Sequence, residues 1–313
     1  MAAYNGGAYI GRQLESFARQ TLLPDELVVC DDGSTDDTLD QVRRFAATAP
    51  FAVRVEINAS RLGYSLNFGR AISLCTGDVI CLSDQDDIWF DEKIDMVAKV
   101  FGTRPQASLV VNDQVIVDGE LRPSGATVFG NTRKLGYSDM DLIAGCCTSF
   151  RASLSPVILP FPANIAYDSW IGTMGHLLGL KTLIEQPLQI YRRHDANTSM
   201  PVVAEAAPST WTLIQRFGMA DPRSAWSQQL EQLQVYEERI RARHDLIVSE
   251  WGPDSAAGAL AMIADWRSWL ETRLDVLSRS RASRFPRVLK LWREGFYERQ
   301  FGLKSAIKDL VRS

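Results

Sequence analysis

Two acidic clusters are where this sequence could do chemistry. Ser83-Asp84-Gln85-Asp86-Asp87 puts three carboxylates within four residues, and such a group repels itself unless a positive charge sits among it. At the end of a strand the cluster suits a hard divalent cation, Mg²⁺ or Mn²⁺, held by one or two carboxylates together with substrate phosphates. The competing reading is an Asp-rich helix start ahead of Phe90-Asp91-Glu92-Lys93, where carboxylates complement the helix dipole. The second cluster, Asp31-Asp32-Gly33-Ser34-Thr35-Asp36, offers a carboxylate to a nucleobase N–H or a ribose hydroxyl, while Ser34 or Asp36 caps the next helix. No Walker A lysine and no G-x-G-x-x-G occurs, which excludes a P-loop and a dinucleotide fingerprint.

Other chemistry-bearing residues are sparse. Of the three histidines, His176 and His244 fall inside helical patterns, and only His194 follows a strand and a basic pair, Arg192-Arg193. Asp168 stands where it could cap a helix beginning at Ser169 or Trp170. Cys146 and Cys147 have no obvious paired base and read as small buried thiols. Trp89 and Trp170 offer either faces for stacking on sugars or aromatic core packing.

The elements around these residues alternate. Ile10, Leu14 and Phe17 recur at helical spacing, and Leu27-Val28-Val29-Cys30 then reads as a buried strand that ends in the Asp31 cluster. Leu39, Val42, Phe45 and Ala46 mark a second helix, Val53-Arg54-Val55 a strand, Leu66 to Leu74 a third helix. Val79-Ile80-Cys81-Leu82 is a strand ending in the Asp84 cluster, followed by a helix through Ile94, Val97 and Phe101. This β-α-β-α rhythm predicts an α/β fold with a mostly parallel, Rossmann-like sheet flanked by helices, with ligands at the carboxyl ends of its strands. Farther on, Leu109 to Val111, Val115 to Val117, Leu183-Ile184 and Leu188 to Tyr191 are strand-like, and Tyr167 opens a helix through Leu178. A small-residue connector over Met200–Pro208 precedes helical patterns at Trp211–Phe217, Trp226–Val248 and Ala256–Leu277. The expected organisation is a catalytic domain over 1–200 and a helical C-terminal extension over 201–313.

The 313 residues are 46% apolar and 23% charged, ordinary for a folded globular chain. The net charge of −4 is uneven: from Arg279 onward ten Lys or Arg face three acids, a balance of +7 that leaves −11 for residues 1–278. An acidic body does not read as a nucleic-acid binder. The basic tail, interleaved with Leu289, Leu291, Trp292, Phe296, Tyr297 and Phe301, has the composition of an interfacial helix, so residues 283–313 are expected to meet an anionic membrane surface. No apolar run is long enough to span a bilayer, and Met1 to Gly6 lacks the basic and apolar regions of a secretory leader. Five cysteines without a C-x-x-C pair fit a reducing compartment, which gives the expectation of a cytoplasmic protein held peripherally at the inner face of the membrane.

The motifs, taken in order, resemble a known family. Ala3-Tyr4-Asn5-Gly6, the Asp31–Asp36 block, Arg61-Leu62-Gly63, Ser83 to Trp89, Gly145-Cys146, Tyr167-Asp168-Ser169-Trp170 and Tyr191 to Asn197 look like the family 2 glycosyltransferases of the GT-A fold. The wording is most similar to the bacterial rhamnosyltransferase-like branch of surface-polysaccharide assembly, and the likeness covers residues 2–199. It implies that Ala3, Tyr4, Asn5 and Asp32 hold the base and ribose, with Arg61 near the nucleotide. Asp84 would lie by the ribose or the metal shell, and Asp86 would bind the metal on the donor diphosphate. Asp168 takes the place of the catalytic base. His194 would complete the metal shell, Arg192 or Arg193 would contact phosphate, and Gly145, Cys146 and Trp170 would lie toward the acceptor.

The implied reaction is metal-dependent, inverting transfer of a sugar from a nucleotide-sugar donor, best matched by dTDP-rhamnose, to a hydroxyl of a lipid-linked glycan in O-antigen or capsule synthesis. A UDP-hexose or UDP-N-acetylhexosamine is the alternative donor, and a non-catalytic nucleotide-sugar-binding assembly protein the alternative class. A nucleotidyltransferase would need a Gly-rich loop with a lysine near the start, which is missing. Relatives carry an apolar strand ahead of the Ala-Tyr-Asn motif, whereas here Met1 stands where that strand should be ending, so either the true start lies upstream or the nucleotide site is weakened.

Overall fold

The computed structural model describes residues 1–192, 221–299 and 302–312. They divide into two compact units, Met1–Ala206 with Arg243–Ala256, and Ala207–Ala242 with Ala257–Ser313.

The first unit begins with a parallel sheet of β1 (Ala2–Ala3), β2 (Glu26–Asp31) and β3 (Ala52–Ile57) in that spatial order. Successive side chains of β2 point to opposite faces, so a continuous apolar run can feed two layers. Leu27 and Val29 pack with Ile10, Leu14 and Phe17 of α1 (Ile10–Ala18) and Val42 of α2 (Thr38–Ala46). Val28 and Cys30 turn the other way onto Ala71 of α3 (Tyr64–Leu74). The first strand is short: the ammonium group of Met1 is buried and donates to the Val28 carbonyl at 2.8 Å.

A second sheet is built from β4 (Val79–Cys81), β5 (Ile88–Trp89), β6 (Leu109–Val117), β7 (Pro123–Thr127), β8 (Thr148–Arg151) and β9 (Lys181–Arg192). Its order is β4-β8-β6-β9-β5, with β7 beside β6. Only β6 and β9 run parallel; the other pairs are antiparallel. The parallel expectation therefore holds for the first sheet, while the second is mixed. The two short strands expected around Leu183 and Leu188 form one strand, whose register against β6 shifts where Pro187, which has no N–H to donate, meets Asp113. Helix α4 (Lys93–Thr103) covers this sheet through Val97 and Phe101, which pack on Val110, Ile184 and Leu188. Two further helices, α5 (Val128–Lys134) and α6 (Ser155–Ile158), lead to α7 (Tyr167–Leu177).

The expected helix over Trp226–Val248 is broken at Arg243 into α8 (Arg223–Ala242) and α9 (His244–Trp251). Helix α9 belongs to the first unit, where Trp251 Nε1 donates to Ser108 Oγ at 2.8 Å. The second unit contains α8, α10 (Pro253–Ser278) from Ala257 onward, α11 (Arg281–Arg293) and α12 (Leu303–Val311). Its core holds a buried ion pair between Arg273 and Asp309, with Nε to Oδ2 at 2.8 Å. The Arg273 guanidinium also lies 4.2 Å from the Trp226 ring and 4.7 Å from Trp269. The connector Met200–Pro208 and the helical pattern Trp211–Phe217 lie outside the described residues.

Candidate active site

Strand ends bring the first group of residues together. The carboxylate of Asp31 is used within its own turn, where it accepts from the Gly33 and Ser34 N–H groups at 3.0 and 2.8 Å. Asp36 likewise accepts from the N–H groups of Gly7 and Thr38. Buried Asp32 accepts from Asn58 Nδ2 at 2.7 Å, Leu62 N at 2.7 Å and Gly63 N at 2.8 Å, and so fixes the loop that carries Arg61. Gly63 sits at φ +81°, a conformation that suits glycine. Asn67 completes the anchor by accepting from Asn58 Nδ2 and donating to the Cys30 carbonyl. The Arg61 guanidinium lies 3.9 Å from the centre of the Tyr4 ring.

Ala3 accepts from the Asp32 N–H at 2.8 Å, and Asn5 binds both Ser34 and Thr35. Gln85 grips the backbone of Tyr4 from both sides: Tyr4 N donates to Oε1 at 2.9 Å and Nε2 donates to Tyr4 O at 3.0 Å. Ala3, Tyr4, Asn5, Asp32 and Arg61 are thus joined, and Gln85 ties them to the acidic block. Sequence reasoning missed Gln85, although its place between Asp84 and Asp86 was the available signal.

The acidic block lies on the turn between β4 and β5. Ligand-type atoms of Asp84, Asp87 and Cys146 all lie within 4.8 Å of one another. Among the described residues Asp84 and Asp87 converge with Cys146, and Asp86 lies near enough that its charge raises both carboxyls. Gln189 on β9 donates to Asp87 Oδ2 at 2.8 Å and so orients that side chain. Burial, followed by Asp87, Asp86 and Asp168, pushes the Asp84 carboxyl well above its ordinary range. Burial and Asp86 push Asp87 up to about 7, against the opposing effects of the Cys146 thiol, Lys93 and Arg192.

The Cys146 thiol is itself pushed well up, by its hydrogen bond with Cys147 and by burial, so it stays protonated, and it donates to Gln114 Oε1 at 3.7 Å. That direction runs against a thiolate nucleophile and fits a buried thiol. Two carboxylates that repel each other, Asp87 buried and Asp84 half-buried, are a donor set suited to a hard divalent cation, whereas a protonated thiol is not.

Asp168 enters from α7. The N-cap of that helix is Ala166, so Asp168 lies in the first turn instead of capping it, and its Oδ1 accepts from the Ser169 N–H at 2.7 Å. Burial raises its pKa, and its charge in turn raises that of Asp84, which places the two carboxylates in one electrostatic neighbourhood. Tyr167, part of the quoted motif but given no role from sequence, stacks on Phe68 at 4.3 Å with its phenol pushed well up by burial, Asp84 and Asp168. Gly145 lies directly against that hydroxyl, since a Cβ there would fall 1.9 Å from it.

Trp170 does not fit its expected acceptor role. It is fully buried, and its Nε1 donates to the Ile158 carbonyl at 2.8 Å, so its ring faces core. Trp89 is core as well, edge-on to Phe17 at 4.7 Å. Arg192 ends β9 at 5% exposure, and among the described residues its Nε and Nη2 have no hydrogen-bond partner. Its guanidinium lies 5.1 Å from the centre of the Tyr9 ring, within electrostatic reach of Asp86 and Asp87. Arg193 and His194 lie outside the described residues.

Residues 1–157 match the model of glycosyl transferase family 2. The chain belongs to glycosyltransferase family 2, a family of enzymes, and its fold is GT-A. It is 26% identical over 208 residues to an uncharacterised glycosyltransferase of Nostoc sp., which is 63% of this chain and 64% of that relative. The chain therefore spans less than two thirds of that relative's length. A shorter stretch of 98 residues, 30% of this chain and 34% of the relative, is 38% identical to the dTDP-rhamnosyl transferase RfbG of Shigella flexneri. Among solved structures, S. aureus TarS 1–349 in complex with UDP-GlcNAc superposes with a TM-score of 0.55 at 18% identity, covering 94% of this chain and 90% of that one.

Proposed function

We propose that the protein transfers a sugar, best matched by rhamnose from dTDP-rhamnose, from a nucleotide-diphosphate donor to a hydroxyl of a lipid-linked glycan, with inversion at the anomeric carbon. The observation that carries this reading is the meeting of Asp84 and Asp87 with Asp168, which come from a strand-end turn and a distant helix. Asp84 and Asp87 are the carboxylates that would hold Mg²⁺ or Mn²⁺, with Asp86 and His194 as the further ligands expected. When bound, such an ion supplies Lewis-acid stabilisation of the charge that grows on the leaving diphosphate.

The remaining roles belong to the chain itself. Asp168 accepts the proton of the attacking hydroxyl, and its raised pKa brings it nearer the operating pH of a general base. Arg192 donates to a phosphate oxygen, joined by Arg193. The Tyr4–Arg61 stack and the Ala3–Asn5 turn receive the nucleoside end. The dTDP-rhamnose preference rests on the short likeness to RfbG; a UDP-hexose or UDP-N-acetylhexosamine would use the same machinery. The setting is O-antigen or capsule synthesis at the cytoplasmic face of the membrane. There the exposed Phe285 and Trp292 of α11, with Leu289 between them and Arg281, Lys290 and Arg293 beside them, would rest on anionic lipid.

The test is nucleotide release by the purified protein across a donor panel, with and without Mn²⁺ or Mg²⁺. Asp168→Asn is expected to lower turnover by about 10²–10⁴-fold with little change in donor KM. Donors that bind without turnover, with the variant indistinguishable from wild type, would leave a non-catalytic binding protein.

A further inference from the structure

Lys93 is fully buried, yet its ammonium is fully satisfied. It donates to the Cys146 carbonyl at 3.0 Å and to Gln189 Oε1, and it lies 3.9 Å from the centre of the Trp89 ring. Three N–H bonds meet three electron-rich partners, and an ammonium has no acceptor to offer in return. The side of the Gln189 amide that faces Lys93 must therefore be the oxygen. Its NH₂ is forced to the other side, where it donates to Asp87 Oδ2 at 2.8 Å and to Gln114 Oε1 at 3.1 Å. The same Gln114 oxygen receives the Cys146 thiol at 3.7 Å.

We infer that Lys93 is a positioning residue that acts through Gln189: it sets the polarity of a buried relay that aims the Asp87 carboxylate into the site and keeps Cys146 a donor. This rests on reading Asp87 as a cation ligand, and the relay itself is independent of whether an ion binds. Without Lys93 the Gln189 oxygen loses its donor, and only the bonds to Asp87 and Gln114 are left to hold the amide, so its orientation, and with it that of Asp87, is less firmly fixed. Partners of this kind, which orient a ligand without touching the ion, typically change metal affinity by about 10–100-fold.

The experiment uses the full chain as wild type, Lys93→Met, Gln189→Met and the double variant, with folding checked by thermal melting. Mn²⁺ affinity is measured by titration without donor, and the Gln189 side-chain NH₂ is followed by NMR in protein labelled with ¹⁵N at glutamine, assigned by its loss in Gln189→Met. Each single variant is expected to weaken Mn²⁺ by about 10–100-fold, with the double variant no weaker than the singles, because both act at one carboxylate. Lys93→Met is also expected to shift the Gln189 NH₂ signals and speed their exchange. Wild-type Mn²⁺ affinity in folded Lys93→Met, losses that multiply in the double variant, or unmoved Gln189 signals would each overturn the relay. If Lys93→Met does not fold, undiminished affinity in Gln189→Met does the same. No Mn²⁺ binding by wild type, with Gln189 signals that move in Lys93→Met, sinks the ion reading and leaves the relay standing.

Discussion

Asp87 shows how much a residue's chemistry depends on its surroundings. Its carboxyl rises from the ordinary 3.8 to about 7 because it is buried beside Asp86. A folded pKa above the unfolded one means that the native chain holds a proton the unfolded chain releases. The stability this group contributes is complete below about pH 4 and is lost as pH rises toward 7. Asp84 is shifted in the same direction and adds to the effect. A divalent cation relieves the repulsion between the ionised forms and competes with protons for the same oxygens. Mn²⁺ is therefore expected to raise the melting temperature by several degrees more at pH 8 than at pH 5. Equal shifts at both pH values in thermal melts would mean that the ion binds elsewhere.

At the scale of elements, α7 decides where the proposed base stands. Eight of its eleven residues are buried, and Trp170 ties it to the end of α6 through the Ile158 carbonyl. The helix start is therefore held as firmly as the core, and Asp168 inherits that rigidity. Trp170→Phe keeps the aromatic volume and removes the donor, leaving the Ile158 carbonyl without its indole partner. The expected result is a loss of about 1–3 kcal/mol in urea unfolding with an unchanged acceptor KM. A raised acceptor KM with stability intact would return Trp170 to the sugar site.

Across the whole molecule, charge and exposure point the same way in the second unit. Phe285 is 60% exposed and Trp292 48%, on a helix whose opposite face buries Arg284, Val288 and Leu291. No helix among the described residues is long and apolar enough to cross a membrane, so contact with lipid would be made at the surface. Deleting residues 283–313 would remove Asp309 from its buried pair with Arg273, so point changes are the cleaner probe. Phe285→Ser combined with Trp292→Ser is expected to weaken binding to phosphatidylglycerol vesicles by about tenfold or more, with turnover on a soluble acceptor unaffected. Unchanged vesicle sedimentation would remove the membrane role of α11.

Much of this was legible in one dimension. Continuous apolar runs such as Leu27–Cys30 announce a strand buried on both faces, and an acidic cluster following such a run announces a site at the strand's end. The mixed second sheet was not legible, because the register of a strand such as β9 depends on which partner it meets. The site divides in the same way. Asp84 and Asp168 are marked by their motifs and Gln85 only by its place inside one, whereas Lys93, Gln114 and Gln189 carry no local signal. They matter only because folding joins Tyr4 to Gln85 and Asp87 to Gln189 across many tens of residues. Sequence alone determined the class of the fold and the supply of carboxylates. The tertiary structure decided which carboxylates converge and which way a buried amide points, because hydrogen-bond polarity in a dry core is set by neighbours in space and not by neighbours in the chain.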